Sequence, residues 1–418
     1  MAAKNTLRSI FVYADWQGLG GPLLIGTLNV TQVRKEVFSF EYDEAWLKSG
    51  KAQDLDPDLQ LLPGAQYLGG DKHNFGSFLD SSPDRWGRVL MDRREAIIAR
   101  KEERKPNNLW ETDYLLGVYD GHRMGALRFK EDPKGPFLNN NKDMASPPWT
   151  SIRELEHASL EFEKDTEGNT SKWIDMLFAP GSSLGGARPK ASVVDPKGEL
   201  WIAKFPSISD SKDVGAWEMV VHELALKAGI RVAESKTGKF YSKQHTFLTK
   251  RFDRVADGSR IHFASAMTLL GHTDGSSYKD GVSYLDLAEF IMRSGSSPNE
   301  DLEELWKRIV FNICVSNTDD HLRNHGFLLE EKGWKLSPAF DINPVAKGTG
   351  LSLNISEKDN SLDLDLAREV APYFRIKDKK SESIVKEVKE VVAHWTEVAE
   401  KYGIPKTERE LMASAFRV

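Results

Sequence analysis

A polar segment between an apolar helical pattern and a predicted hairpin most strongly limits how this 418-residue chain can fold. The segment, residues 317–343, has the sequence NTDDHLRNHGFLLEEKGWKLSPAFDIN. It follows the apolar stretch RIVFNICV, forms a polar loop, and continues into a hairpin pattern that turns near Gly333. The loop carries Asp319 and, five positions later, Asn324, while Asp341 follows the hairpin.

The three polar side chains of this segment have the spacing expected for phosphoryl transfer. A kinase requires a carboxylate that orients the substrate hydroxyl and accepts its proton, an amide oxygen for one metal ion, and a second carboxylate for the metals that bridge the phosphates. Asp319 and Asn324 match the Asp-x4-Asn pattern of the protein-kinase catalytic loop, and Asp341 stands where the metal-binding aspartate is expected. Alone, an Asp-x4-Asn pattern is a weak signal, because loops are rich in both residues as caps and turn formers.

Three elements upstream of this segment follow the order of parts in a kinase. The sequence GSSLGGARPK supplies Gly185 and Gly186, whose missing side chains let backbone amides approach anionic phosphates. The sequence GELWIAKFP places Lys204 in an apolar strand, where a lysine is costly to bury unless it is paired or binds a phosphate. Glu218 lies on the next predicted helix, which is the order of the lysine–glutamate ion pair in kinases. Each feature is common alone, but their succession favours a kinase.

Chain length and composition limit the class of protein. The chain exceeds the size of about 250–300 residues at which single cores stop growing, so two or three packed units are expected. The net charge of -6 and the isoelectric point near 6.0 do not indicate an overall basic surface that would bind nucleic acid. We therefore expect any DNA contact to be indirect. The single cysteine, Cys314, lies in an apolar stretch and fits a small buried side chain in a reducing cytoplasm. With no apolar signal core and no apolar run of about 18 residues, we expect a cytoplasmic protein without a membrane span.

Sheet and helix patterns succeed one another along the chain. Short apolar runs broken by glycines predict β-hairpins from Ile10 to Tyr42, and a Pro- and Asn-rich stretch at 131–148 predicts a linker. Helical spacing over residues 75–105, which begin with FGSFLDSSPDRWG, predicts a helix before this linker. Strand patterns return around Lys204 on both sides of a predicted turn at Asp195–Gly198, and beyond Ser265 apolar residues recur at helical spacing. The prediction is an α+β, protein-kinase-like bilobal fold with an additional amino-terminal β-rich domain and a mainly helical carboxy-terminal lobe. The predicted domains are residues 1–148, 149–254 and 255–418.

Seven short motifs spread over the chain carry a family resemblance. Two of them, FLDSSPDRWG at Phe78–Gly87 and the later YLLGVYDGHRMGALRF, lie in the amino-terminal third. The others are SLGGARPK, WIAKFP, KRFDR, NTDDHLRN and AFDI. With this set the chain resembles, almost end to end, the HipA family of kinase toxins from bacterial toxin–antitoxin pairs. The resemblance implies a serine/threonine protein kinase that uses ATP and Mg²⁺.

The resemblance also implies a role for each residue of the catalytic segment. Asp319 is implied as the catalytic base, and His321, in the same loop, as a contact to phosphate. Asn324 and Asp341 are implied as the Mg²⁺ ligands, and Lys204 as the lysine on the ATP phosphates.

The adenine hinge and the glycine loop complete the implied nucleotide site. Phe252 and the backbone near Lys250 are implied at the hinge, although Lys250 stands where the best-known family member has glutamate. Family members autophosphorylate a glycine-loop serine, which ejects the loop and switches the kinase off; alignment of GARPK puts this serine at Ser183, with Ser182 as the neighbouring candidate. A phosphoserine carries a charge of about −1.5 to −2, so it would compete with ATP phosphates for the same amides. The implied nucleotide-binding set is Ser182, Ser183, Gly185, Gly186, Lys204, Glu218, Lys250, Phe252, Asn324 and Asp341.

Partners and competing functions follow from the same resemblance. It implies a helix-turn-helix, HipB-like antitoxin, contact with DNA only through that antitoxin, and a protein substrate involved in translation, for which the family precedent is an aminoacyl-tRNA synthetase. A second hypothesis makes the chain mainly a regulatory partner of the antitoxin on operator DNA. A third is a small-molecule kinase, because sugar and antibiotic kinases share the Asp, Asn and Asp layout. The family-specific FLDSSPDRWG motif favours the first hypothesis over the third.

Overall fold

The computed structural model of the chain describes residues 6–32, 34–69, 72–165, 171–181 and 186–418. The chain forms two compact units. The first comprises Met1–Ile208, Phe240–Ser242 and Asp253–Ala264, and the second comprises Ser209–Lys239, Lys243–Phe252 and Ser265–Val418. The three-domain division at residues 148 and 254 stays a prediction.

A five-stranded antiparallel sheet opens the first unit, with the strand order β4-β3-β2-β1-β5. Its strands are β1 Thr6–Ala14, β2 Leu23–Gln32, β3 Glu36–Tyr42, β4 Ala65–Tyr67 and β5 Leu127–Lys130. One face of β1 buries Ile10, Val12 and Ala14, which is the alternation of a strand with one face in a core. The hairpins predicted from Ile10 to Tyr42 are therefore confirmed.

Helices and a further hairpin complete the description of the first unit. The described helices are α1 Glu44–Lys48, α2 Gly76–Asp80, α3 Arg85–Lys101, α4 Glu111–Gly117, α5 Ile152–Lys164 and α6 Ser171–Gly181. The helical pattern predicted over FGSFLDSSPDRWG and the residues after it is divided into α2 and α3, because Pro83 lacks the N–H that a continuous helix needs. Strands β6 Lys190–Val194 and β7 Leu200–Lys204 pair antiparallel across the predicted turn at Asp195–Gly198.

Helices dominate the second unit, as the apolar spacing beyond Ser265 predicts. They are α7 Val214–Lys227, α8 Ala266–Leu269, α9 Tyr284–Ser294, α10 Pro298–Val315, α11 Leu364–Val370, α12 Asp378–Ala393, α13 Trp395–Lys401 and α14 Lys406–Met412. Helix α10 is buried over most of its length and contributes Leu305, Trp306, Ile309 and Cys314 to the core. Burial raises the pKa of the Cys314 thiol to about 12, which confirms this cysteine as a small buried side chain. No helix in the described part of the chain is long and apolar enough to cross a membrane.

Short strands lie before and within residues 317–343, the predicted catalytic segment of the second unit. Strands β8 Ser235–Gly238 and β9 Thr246–Lys250 form one antiparallel pair, and β10 Phe263–Ser265 lies where the chain passes from the first unit to the second. The predicted hairpin is β11 Gly326–Glu330 with β12 Gly333–Leu336. Gly333 has a φ of +130°, and a Cβ atom there would lie 2.5 Å from the carbonyl oxygen of Ser294. Glycine is therefore required at this turn.

Candidate active site

The loop of residues 317–325 joins α10 to β11 and carries the predicted catalytic residues. Ser316 turns the chain out of α10 with a left-handed φ of 47°. Within the loop, the N–H of His321 donates to the carbonyl of Asp319 (2.9 Å), and the N–H of Asn324 donates to the carbonyl of His321 (2.8 Å). The side-chain Nδ2 of Asn324 donates to the carbonyl of Asp319 (3.0 Å). This last bond fixes the amide and leaves its Oδ1 as the atom able to bind a metal ion.

Asp319 is exposed at the surface of this loop. Enough protein surrounds its carboxyl group to raise the pKa of Asp319 by desolvation, and the charges of Asp341 and Asp320 raise it further, whereas His321 opposes the shift. The charges of His321 and Asp341 therefore both bear on the ionisation of Asp319. A carboxylate with a raised pKa and access to solvent is suited to accept a proton from a bound hydroxyl.

Asp320, the neighbour of Asp319, is a buried anchor that no sequence pattern indicated. Its Oδ2 accepts hydrogen bonds from Tyr284 Oη (2.5 Å), Asn312 Nδ2 (2.6 Å) and His325 Nε2 (2.9 Å). Burial alone raises the pKa of Asp320, but the interactions with His325 and Tyr284 outweigh burial and hold it below its usual range. The carboxylate thereby ties the catalytic loop to helices α9 and α10 and to the start of β11.

A chain of hydrogen bonds continues from this anchor to Asp341. Nδ2 of Asn317 donates to Oδ1 of Asn312 (3.1 Å), and the backbone N–H of Asn343 donates to Oδ1 of Asn317 (3.2 Å). Nδ2 of Asn343 then donates to Oδ1 of Asp341 (3.1 Å). Asn312 and Asn317 are buried, where such directional bonds are stronger than in water. The position of Asp341 is therefore tied to that of the catalytic loop.

Aromatic packing connects the predicted hinge with the segment that carries Asp341. Asp341 has a φ of +58°, a conformation that aspartate tolerates better than bulky side chains. The preceding Phe340 packs against Phe252, with ring centroids 5.6 Å apart and ring planes inclined by 39°. At the end of β9, the N–H of Lys250 donates to the carbonyl of Glu234 (2.8 Å), so this donor is already engaged within the unit.

The glycine-rich segment is described only from Gly186 onward, so Ser182, Ser183 and Gly185 lie outside the described residues. Gly186 has a φ of +80°, and a Cβ atom there would come within 2.5 Å of Nζ of Lys190. Any other residue at this position would be strained by its backbone conformation, whereas the flexible Lys190 side chain could move away from an added Cβ atom. The positive φ is therefore the local reason for glycine at position 186.

Two lysines project from the same face of the β6–β7 hairpin. Lys190 and Lys204 are direct partners in the antiparallel register, and directly opposed residues share one face of a sheet. Lys190 is only 7% exposed and Lys204 is half-buried. Two cationic side chains on one face are suited to contact an anionic ligand such as a polyphosphate. Sequence patterns singled out Lys204 but not Lys190.

The predicted partner of Lys204 belongs to the other unit. Glu218 is buried on α7 of the second unit, whereas Lys204 ends β7 of the first. The lysine–glutamate ion pair stays a prediction.

Asn324 and Asp341 are the predicted metal ligands. Among the described residues, no group of three or more His, Cys, Asp or Glu side chains is arranged to hold a metal ion. Mg²⁺ in a nucleotide enzyme does not require such a group, because it keeps several waters and binds through one or two carboxylates and the substrate phosphates. One amide oxygen and one carboxylate therefore fit the donor set of this ion.

The described sheets and helices define an α+β protein with a kinase-like fold. This fold matches that of HipA from the Shewanella oneidensis MR-1 toxin–antitoxin system, which was solved with HipB and its operator DNA. The TM-score is 0.64 and the sequence identity 17%, over 98% of this chain and 95% of that chain. The predicted fold class is thus confirmed.

Sequence comparison places the chain in a family. The family model described as HipA-like C-terminal domain matches residues 182–395, slightly more than half of the chain. The chain belongs to this HipA-like family, as its motifs predict. The matched residues include the predicted catalytic loop, the β6–β7 hairpin and Asp341.

Two curated relatives share part of the sequence. "Putative kinase Y4mE" from Sinorhizobium fredii is 27% identical over 181 residues, 38% of this chain and 41% of that protein. A "Putative kinase" from Haemophilus influenzae is 25% identical over 185 residues, 40% of this chain and 53% of that protein. The matched parts thus span about half or less of each relative's length.

Proposed function

We propose that this chain is an ATP- and Mg²⁺-dependent serine/threonine protein kinase that acts as the toxin of a toxin–antitoxin pair. The observation that carries the proposal is the arrangement around the catalytic loop. Asp319 is exposed with a raised pKa, the Asn324 amide is fixed against its backbone, and Asp341 is joined to the same loop by hydrogen bonds. These are the three polar groups that phosphoryl transfer from ATP requires.

Each group has a distinct role in this proposal. Asp319 orients the hydroxyl of the protein substrate and accepts its proton. His321 contacts the phosphates from the same loop. Oδ1 of Asn324 and the carboxylate of Asp341 hold Mg²⁺, which neutralises charge on the phosphates.

The nucleotide is held by the remaining predicted residues. The opposed Lys190 and Lys204 supply positive charge for the ATP phosphates, and Lys190 extends the predicted set. Phe252 and the backbone near Lys250 form the adenine hinge, with Phe252 supported by Phe340. Glu218 is the proposed partner of Lys204.

The toxin role supplies the biological setting of the proposal. The structural relative from Shewanella forms a complex with HipB and operator DNA. By analogy, this chain acts in the cytoplasm, binds a helix-turn-helix HipB-like antitoxin, and contacts DNA only through it. Its substrate is a protein involved in translation, with an aminoacyl-tRNA synthetase as the family precedent. A role mainly as regulatory partner of the antitoxin is compatible with catalysis, because the two use different surfaces.

Mapping of phosphate on the protein itself tests the proposed activity. Purified protein incubated with Mg²⁺ and labelled ATP should incorporate phosphate on Ser183 or Ser182, and mass spectrometry would locate it. Ser183→Ala should remove the main site, because this serine aligns with the family's modified residue. Nucleotide binding without incorporation would instead favour the small-molecule kinase or the purely regulatory partner, and phosphate mapped to another residue would refute the choice of Ser183.

We expect Asp341→Asn to weaken Mg²⁺-dependent ATP binding while the protein stays folded. The substitution removes the negative charge of a metal ligand but keeps its shape, so the Mg²⁺ concentration for half-maximal binding should rise by at least about tenfold. Titration of Mg²⁺ at fixed ATP, followed by calorimetry, measures the change. Asp365→Asn is the matched control, because the Asp365 side chain is 84% exposed and pairs only at the surface with Arg368. Equal Mg²⁺ requirements in the two variants would contradict the assignment.

A further inference from the structure

The motif FLDSSPDRWG has no role in the catalytic chemistry proposed above, yet it contacts the glycine-rich segment directly. The N–H of Gly186 donates to Oδ2 of Asp84 (2.6 Å), and the N–H of Trp86 donates to the carbonyl of Gly186 (3.0 Å). The indole Nε1 of Trp86 donates to the carbonyl of Lys190 (2.9 Å). Three hydrogen bonds thus join residues about one hundred positions apart in the sequence, all within the first unit.

The position of Asp84 shows that its carboxylate serves this contact and not its own helix. Asp84 is the N-cap residue of α3, where an aspartate side chain ordinarily accepts a hydrogen bond from the first turn. Its side chain makes no capping hydrogen bond to α3. It accepts the N–H of Gly186 instead.

The side chain of Trp86 is held in place by burial and by ring packing. Its side chain is buried, with 4% exposure, and its ring packs edge-on against Phe162 with centroids 5.5 Å apart. The backbone N–H and the indole N–H of this one residue engage Gly186 and Lys190. Both the N–H and the carbonyl of Gly186 are therefore bound to the start of α3.

We propose that Asp84 and Trp86 are positioning residues that fix Gly186 and the strand end carrying Lys190, and so set the geometry in which Lys190 meets the nucleotide phosphates. We call this pair the Asp84–Trp86 clamp; its effect on nucleotides rests on the proposed kinase function. The clamp holds Gly186 in its left-handed conformation and fixes the strand end from which Lys190 faces Lys204. Residues whose positions are fixed in advance lose less conformational freedom when they bind phosphates, so they bind them more tightly. The amino-terminal motif thereby contributes to nucleotide affinity without touching the nucleotide.

The clamp predicts a loss of affinity that depends on phosphate groups. Asp84→Ala should weaken binding of Mg²⁺–ATP and of ADP by about tenfold, which is the effect of losing one hydrogen bond to a charged acceptor. Binding of adenosine should stay unchanged, because adenosine has no phosphates for Lys190 to contact. Calorimetric titration of the full chain with each of the three probes measures the affinity for ATP, ADP and adenosine separately. A general loss of structure would weaken adenosine as well.

Two further variants distinguish loss of the clamp from misfolding of the protein. Asp84→Asn retains an acceptor oxygen and should restore most of the affinity for ATP. Trp86→Phe keeps a buried ring but removes the donor to Lys190, so it should weaken ATP about fivefold and leave adenosine unaffected. Arg85→Gln is the matched control, because Arg85 is exposed between the two clamp residues. It should behave like the wild type.

The outcomes separate failure of the clamp from failure of the proposed function. Wild-type protein that binds neither ATP nor ADP overturns the kinase proposal and the clamp with it. Wild-type binding with no selective loss of ATP in Asp84→Ala and Trp86→Phe overturns the clamp alone. Selective loss in both variants, with recovery in Asp84→Asn, supports it.

Discussion

Asp319→Ala should lower the rate of phosphoryl transfer by about a thousandfold, in the range expected for loss of a general base. The variant should still bind Mg²⁺–ATP, because the proposed metal ligands and lysines remain. It should also stay folded, since the Asp319 side chain is exposed and the hydrogen bonds within the loop use its backbone carbonyl. Initial rates of autophosphorylation with labelled ATP, measured beside calorimetric ATP affinity, test both expectations.

The control for this experiment is the surface variant Asp365→Ala. It removes a carboxylate of the same unit whose side chain is 84% exposed, so rate and affinity should match the wild type. Phosphate incorporation by Asp319→Ala at a rate near that of the wild type would refute the assignment of the base. Loss of ATP binding together with activity would show instead that Asp319 serves the nucleotide site.

The sequence predicts the catalytic segment well because its signals are local. The loop, the hairpin and the order of Asp319, Asn324 and Asp341 depend on spacing and turn residues that lie within one short stretch. The structure confirms the loop and the hairpin, and it joins Asn324 and Asp341 to the same loop by hydrogen bonds. The catalytic and metal-binding roles of these residues stay predictions.

The two adjacent aspartates of this loop show where sequence reasoning stops. Asp319 is exposed and Asp320 is buried, yet in the sequence they are adjacent residues of the same type in the same polar loop. The difference arises from donors on other elements, namely Tyr284 on α9 and Asn312 on α10. No local period or motif predicts that those side chains converge on one carboxylate.

The contacts of Gly186 illustrate the same limit over a longer distance. The sequence predicts that its missing side chain lets the backbone approach phosphate, whereas its φ of +80° gives a separate, local reason for glycine. The partner Asp84 lies in a motif that the sequence links to this segment only through family resemblance. The helical pattern over that motif also gave no sign of the division at Pro83, which places Asp84 at the start of α3. Tertiary packing, not local preference, brings the two segments together.

Asp320→Asn should destabilise the protein by about 3 kcal/mol, the scale on which removal of one member of a buried charged network acts. The substitution keeps the shape of the side chain and one acceptor oxygen, but it removes the negative charge that holds the donors of Tyr284, Asn312 and His325. The free energy of unfolding in urea, followed by tryptophan fluorescence, measures the loss. Asp365→Asn, which removes only an exposed ion pair, should cost less than about 1 kcal/mol. Equal stability of the two variants would contradict the role of Asp320 as anchor.

The contribution of Asp320 to the free energy of unfolding should also depend on pH, in a direction that follows from its pKa. The folded protein holds the pKa of Asp320 below the value of about 3.9 that an unfolded aspartate has, so the unfolded state binds the proton more strongly. The stabilisation is therefore complete at neutral pH, declines as the pH approaches the unfolded value, and is lost as the pH falls through the lower folded value. The difference in unfolding free energy between wild type and Asp320→Asn should accordingly shrink on acidification below about pH 5. A difference that grew on acidification would mean that folded Asp320 carries a proton, and its single O–H would then donate to Tyr284 or to His325.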